Sequence, residues 1–190
     1  ELDIGVAGAF GSRSADIAVR RGMPDLGTLV EFGPRLKWNI AEMPGGGRWW
    51  MELPLRGVFD LNDRGFHRGM SFEPKLTFQS RTQGEWLYST SAGAIFADQR
   101  LASTLYGVES RYSLAERPTY AAEAGLMAWR LSASASRKLS PDWRLFGFVR
   151  IDSVSGAANQ LSPLVKRNDG ATMGLGIAYT GLRSSQSASN

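Results

Sequence analysis

The stretch Val30-Glu31-Phe32-Gly33-Pro34-Arg35-Leu36-Lys37-Trp38-Asn39-Ile40 decides the fold class. Its even positions hold Val30, Phe32, Pro34, Leu36, Trp38 and Ile40. Its odd positions hold Glu31, Gly33, Arg35, Lys37 and Asn39. A helix would scatter both sets around its circumference, whereas a strand puts each on its own face. The period of two therefore predicts a strand with one apolar and one charged side.

The same alternation extends in both directions along the chain. Met51, Leu53, Leu55, Gly57 and Phe59 alternate with Glu52, Pro54, Arg56, Val58 and Asp60. Met70, Phe72, Pro74, Leu76 and Phe78 alternate with Ser71, Glu73, Lys75, Thr77 and Gln79. Leu2, Ile4, Val6, Gly8 and Phe10 form one face of the first segment; Ala171, Met173, Leu175, Ile177 and Tyr179 form one face of the last. Three further strands are weaker: Trp86 to Phe96, Tyr120 to Arg137, and Trp143 to Asp152, where Phe146 and Phe148 fall on the polar parity. Prolines 34, 54 and 74 each remove a ladder donor, so bulges or irregularities near the strand ends are expected there.

About eight strands result, and their connections fall into two classes. Links 11–25, 60–69, 97–119 and 152–170 are long; links 41–48, 81–85 and 138–142 are short. Outer-membrane barrels join their strands in this way, with short periplasmic turns and long external loops. Trp38, Trp49, Trp50, Trp86 and Trp143 flank the short turns, which is where an aromatic girdle would meet the lipid–water boundary. Phe10, Phe59, Phe72, Phe96 and Tyr120 would mark the other rim. The expected fold is an all-β, antiparallel transmembrane β-barrel over 1–183, followed by a Ser-rich disordered tail at 184–190.

Bulk properties restrict the choice without making it. The 190 residues are 43% hydrophobic and contain no apolar run of about 18 residues, so a membrane helix is excluded. Cysteine is absent, which removes disulfide frameworks and thiolate zinc sites. The net charge of +4 is dispersed, and nucleic acid is not an expected partner. The chain opens directly on a strand at Glu1, as a mature secreted chain or a fragment of one would.

Lipid cannot hold the charged parity cheaply. Glu31, Arg35, Lys37, Glu52, Arg56, Glu73, Lys75, Arg130, Arg144 and Arg150 are therefore the lumen-facing candidates. They either pair and plug a narrow barrel or line a solute pathway. Lys37 and Glu52 should be near neighbours across the 43–48 turn.

No catalytic residue, metal site or cofactor is expected. His67 is the one histidine, and Ser71 with Asp63 or Glu73 beside it lacks a nucleophile elbow. Asp60, Asn62 and Asp63 lack the Gly and Glu spacing of a calcium loop. Gly45-Gly46-Gly47 reads as a turn, not a phosphate cradle.

Several stretches resemble the MipA/OmpV family of MltA-interacting outer-membrane proteins. They are Arg21-Gly22-Met23-Pro24-Asp25-Leu26 continuing to Glu31-Phe32-Gly33-Pro34-Arg35-Leu36, Tyr106-Gly107-Val108, Leu139-Ser140-Pro141-Asp142-Trp143, Leu161-Ser162-Pro163, and Gly174-Leu175-Gly176-Ile177-Ala178-Tyr179. The resemblance implies the outer membrane of a Gram-negative bacterium, contact with its lipid, and a non-enzymatic scaffold. The partners it implies are a periplasmic lytic transglycosylase and a murein synthase. It also implies another hairpin or two ahead of Glu1. A small channel or solute-binding barrel is the main alternative. A lipid-modifying enzyme built on His67 and Ser71, and a soluble calycin-like barrel, are the others.

Overall fold

A computed structural model describes residues 2–9, 14–81 and 86–179. The anticipated tail at 184–190, Phe10 and most of the 81–85 link lie outside these residues. The described chain is all-β apart from one α-helix and short 3₁₀ turns. Its strands are β1 (Leu2–Ala9), β2 (Leu29–Met43), β3 (Gly47–Asp60), β4 (Phe66–Phe72), β5 (Lys75–Arg81), β6 (Trp86–Ala97), β7 (Gly125–Lys138), β8 (Trp143–Ser153) and β9 (Asp169–Tyr179), with helix α1 at Gln99–Tyr106.

All nine strands join one antiparallel sheet in sequence order. The strands exceed the anticipated eight by one because Glu73-Pro74 interrupts the third run. β4 and β5 both lie between β3 and β6, so the sheet still has eight strand positions. Among the described residues no ladder joins β1 to β9.

The prolines lie in one row across the sheet: Pro34 and Pro54 stand within β2 and β3, and Pro74 fills the gap between β4 and β5. The β2–β3 ladder runs Phe32↔Gly57 and then Arg35↔Pro54, passing over Gly33 and Pro34. Gly33 comes so close to β3 that a Cβ there would sit 2.1 Å from the Leu55 carbonyl oxygen. Pro54 and Pro74 keep their acceptors employed: Glu73 N–H donates to the Pro54 carbonyl (3.2 Å) and Ala94 N–H to the Pro74 carbonyl (3.1 Å). True register shifts occur elsewhere, at Asn39/Ala41, Val58/Phe59 and Ile95/Phe96.

Two further differences lie in the long 97–119 link and after it. Asp98 caps α1 by accepting from Leu101 N–H at 2.9 Å, and the helix buries Leu101 and Ala102. β7 starts at Gly125 instead of Tyr120. Tyr120 forms an isolated bridge with Val108 and packs on the helix, so it does not stand on an outer rim.

The principal core sits at the long-loop end, where Val58, Ala97, Leu101, Ala102, Ala122 and Met127 form one buried cluster. The rest of the sheet keeps its apolar parity in the open: Leu36 is 44% exposed, Leu131 56% and Met173 82%, whereas Glu52 is 8% exposed. A soluble β-protein buries the opposite set. The sheet exposes its apolar face and withdraws much of its charged face.

Candidate functional site

Strand pairing turns the charged parity into a connected network. Lys37 opposes Glu52, and Arg35 opposes Asp3 on β1. These registers bring cations against carboxylates in two chains. The first runs Asp3–Arg35 (2.5 Å), Arg35–Glu52 (3.6 Å) and Glu52–Lys75 (3.4 Å). The second runs Glu31–Arg56 (3.5 Å), Arg56–Glu73 (3.5 Å), Glu73–Arg130 (2.9 Å), Arg130–Asp152 (2.7 Å) and Asp152–Arg150 (3.2 Å). Arg130 grips Asp152 with both Nε and Nη2 while Nη1 reaches Glu73, two strand positions away. Withdrawing charges from water costs several kcal/mol per ion, and mutual pairing offsets that cost. Ser71 and Thr77 hydroxyls donate to Glu31 and Glu52, adding acceptor satisfaction.

Not every candidate charge enters these chains. Lys37 lies with its Nζ 4.4 Å from the Trp50 ring centre, a cation–π contact on the charged face. Arg144 is exposed near the short turn, opposite Lys138 and Ala178, and belongs to neither chain. Asp3 and Asp152 complete the chains although the sequence reading passed over them; extending each strand's polar parity to its ends would have found both.

The tryptophans divide between the faces. Trp49 packs on Phe78 (5.0 Å), Trp86 on Tyr88 (6.0 Å) and Trp143 on Tyr179 (4.7 Å), while Trp38 is 69% exposed. These share the apolar parity of their strands. Trp50 shares the parity of Glu52 and turns to the charged face.

The wall beside these charges is built from small groups. Ser91 and Ser132 hydroxyls lie 2.7 Å apart. Phe148 and Phe146 share the polar parity because β9 leaves them room. A Cβ at Gly174 would meet Phe148 Cε1 at 2.5 Å, and one at Gly176 would meet Phe146 Cζ at 2.6 Å. Between this wall and the ion pairs lies a cavity of about 330 Å³, lined by Lys75, Ser91, Arg130, Ser132, Phe148 and Arg150 among others.

Above it, the long loops are locked together by buried polar side chains. Arg117 is 5% exposed and donates to the carbonyls of Tyr112 (Nη2, 2.6 Å), Val19 and Arg21 (Nη1, 3.0 Å each). Arg20 reaches the Leu105 carbonyl at 3.2 Å, and its pKa is lowered first by burial and then by the nearby Arg117 charge. Asn159 accepts from Glu123 N–H and donates to the Glu123 carbonyl; the Ser162 hydroxyl donates to the Tyr106 carbonyl at 2.7 Å. The loop after β1 and the loop after β6 stand about four strand spacings apart in the sheet order, roughly 19 Å if flat. Their direct contact through Arg117 requires the sheet to curl. No local sequence signal marks Arg117 or Asn159.

The weaker sequence candidates fall apart in space. The His67 ring lies beside Phe59 (5.1 Å), which stacks on Phe32, whereas the Ser71 hydroxyl turns to Glu31. Asp60 spends its oxygens on Asn62 N–H and Arg68. Among the described residues no group of three metal-ligating side chains occurs, and no helix is long and apolar enough to cross a membrane.

No curated protein and no solved structure matches this chain. The family described as MltA-interacting protein MipA matches residues 1–181, and the chain belongs to that family.

Proposed function

We propose that this member of the MipA family spans a Gram-negative outer membrane as a β-barrel and scaffolds murein-processing enzymes on its periplasmic side. The observation that carries the membrane reading is the reversal of faces: Leu36, Leu131, Ile151 and Leu175 are exposed while Glu52, Arg56 and Glu73 are withdrawn. In a bilayer every backbone group must be paired, so the edges of β1 and β9 have to be satisfied there, by each other or by further strands. The aromatic pairs at the short-turn end suit the interface between lipid and water.

The family description supports contact with MltA, a lytic transglycosylase. The murein synthase as second partner is the finer part of the reading. Short turns face the periplasm in such barrels, so the contact surface is the exposed 44–46 and 139–142 turns with the neighbouring Glu42, Arg48 and Arg144. The packing of α1 into the opposite end supports a closed lumen over an open pore.

Cell fractionation followed by affinity capture tests the whole reading. The chain should sediment with outer membrane and require detergent, and capture after cross-linking should recover both enzymes. Replacing Ser140-Pro141-Asp142 by Gly-Gly-Ser should reduce that recovery. Recovery of the transglycosylase alone removes the synthase; recovery of neither refutes the scaffold.

A further inference from the structure

The interior cavity is more than leftover space between ion pairs. Three of the arginines on the charged face each meet two carboxylates. Arg35 has Asp3 and Glu52, Arg56 has Glu31 and Glu73, and Arg130 has Glu73 and Asp152. Arg150 shares Asp152 with the bidentate Arg130, and its Nε, 3.2 Å from Asp152 and shielded from solvent, makes no hydrogen bond. Its strand neighbours across the ladder are Ser132 and Thr172, which bring no charge.

The immediate wall carries Lys75, Arg130 and Arg150 against Glu73, an excess of positive charge. Behind it, Glu52 and Asp152 bring the count to balance, so the excess is local: each chain of ion pairs is neutral as a whole but ends at this cavity on a cation, Lys75 or Arg150. A single anion is drawn to those two cationic chain ends, and a second charge would meet the carboxylates behind them at low dielectric. Ser89, Ser91 and Ser134 offer hydroxyls that donate or accept, and Phe148 supplies one apolar surface. A volume of about 330 Å³ lies at the low end of small-molecule sites.

We propose that this cavity is a binding site for a small, hydroxylated monocarboxylate, of the size of a sugar acid. The Arg150 guanidinium takes the carboxylate as a fork, the serines take the hydroxyls, and Phe148 covers the ring's apolar face. The site lies beneath the α1 cap and makes no use of the turn surface assigned to protein partners, so it stands or falls independently of the scaffold.

The test is equilibrium titration of the full chain in detergent micelles with glucuronate, against glucose as its uncharged counterpart. Glucuronate should saturate at one site and glucose should not bind detectably. Arg150→Gln should weaken glucuronate at least tenfold, since it removes the fork and leaves Asp152 held by Arg130. Ser134→Leu, which fills the cavity without touching an ion pair, should do the same and decides the matter if Arg150→Gln does not fold. Absence of saturable glucuronate binding, equal binding of glucose, or wild-type affinity in the folded variants overturns the proposal.

Discussion

Replacing Arg117 by Ala should undock the loop after β1 while leaving the sheet intact. The guanidinium donates to three carbonyls on two loops, and its two bonds from Nη1, at 3.0 Å to Val19 and to Arg21, are the ones that cross between them. A hydrogen bond from a charged donor contributes about 1.5–3 kcal/mol net, so the docking loses about 3–6 kcal/mol. Relief of Arg20, whose pKa is depressed partly by the Arg117 charge, returns a little of this. At about 1.4 kcal/mol per factor of ten, the equilibrium for local opening rises by roughly two to four decades. The loss is local because the β ladders contain no atom of Arg117. Native-state hydrogen exchange on the detergent-solubilised chain reads it directly. The amides of Arg20 and Met23, which bond to the Ile17 and Arg20 carbonyls, should lose protection by that factor, with strand amides of β2, β3 and β7 unchanged. Arg117→Lys should fall between, because an ammonium donates without the planar fork. Unchanged protection at residues 17–23, or a uniform loss through the strands, would refute the assignment of Arg117 as the latch.

Other substitutions probe the two faces and the tight approaches. Leu131→Lys places a charge on the exposed apolar face and should cost about 2–4 kcal/mol in denaturant unfolding from lipid vesicles, with the neighbouring Ser132→Glu much milder because it enters the charged face opposite Arg150. Gly33→Ala should destabilise by about 3 kcal/mol in the same assay, since the new methyl meets the Leu55 backbone oxygen, which cannot swing aside. Gly176→Ala should cost less, because the Phe146 ring that it meets can rotate; equal costs at the two glycines would contradict the close approach of β2 and β3. Leu101→Ala, at a side chain 5% exposed in the α1 cluster, should cost about 2–5 kcal/mol and raise exchange in α1 before the strands; a change under about 1 kcal/mol would show that the cluster is not a packed core.

The alternation at 30–40 and 51–59 was enough to read strands, and it also identified which face holds charge. That is a local property, because successive strand residues point to opposite sides whatever the partner. The short turns were legible for the same reason: Gly45 and Gly46 adopt positive φ, which their composition anticipates. Lys37 and Glu52 could be paired in advance because a short turn fixes their register.

What lay beyond the sequence depends on residues far apart along it. Pro74 looked like an irregularity in one strand; only the pairing of β3 and β6 with both flanking pieces showed it dividing a single strand position. Trp50 belonged by position to the girdle, yet the parity set by Glu52 turns it inward over Lys37. The 97–119 stretch was read only as a long link, and neither its helix nor the seat of that helix against Val58 and Met127 was foreseen. Arg117, Asn159 and the cavity beside Arg150 have no local mark. A strand's two faces follow from the chirality and spacing of one chain, whereas a latch or a pocket exists only once the curved sheet brings separate segments within a few ångströms.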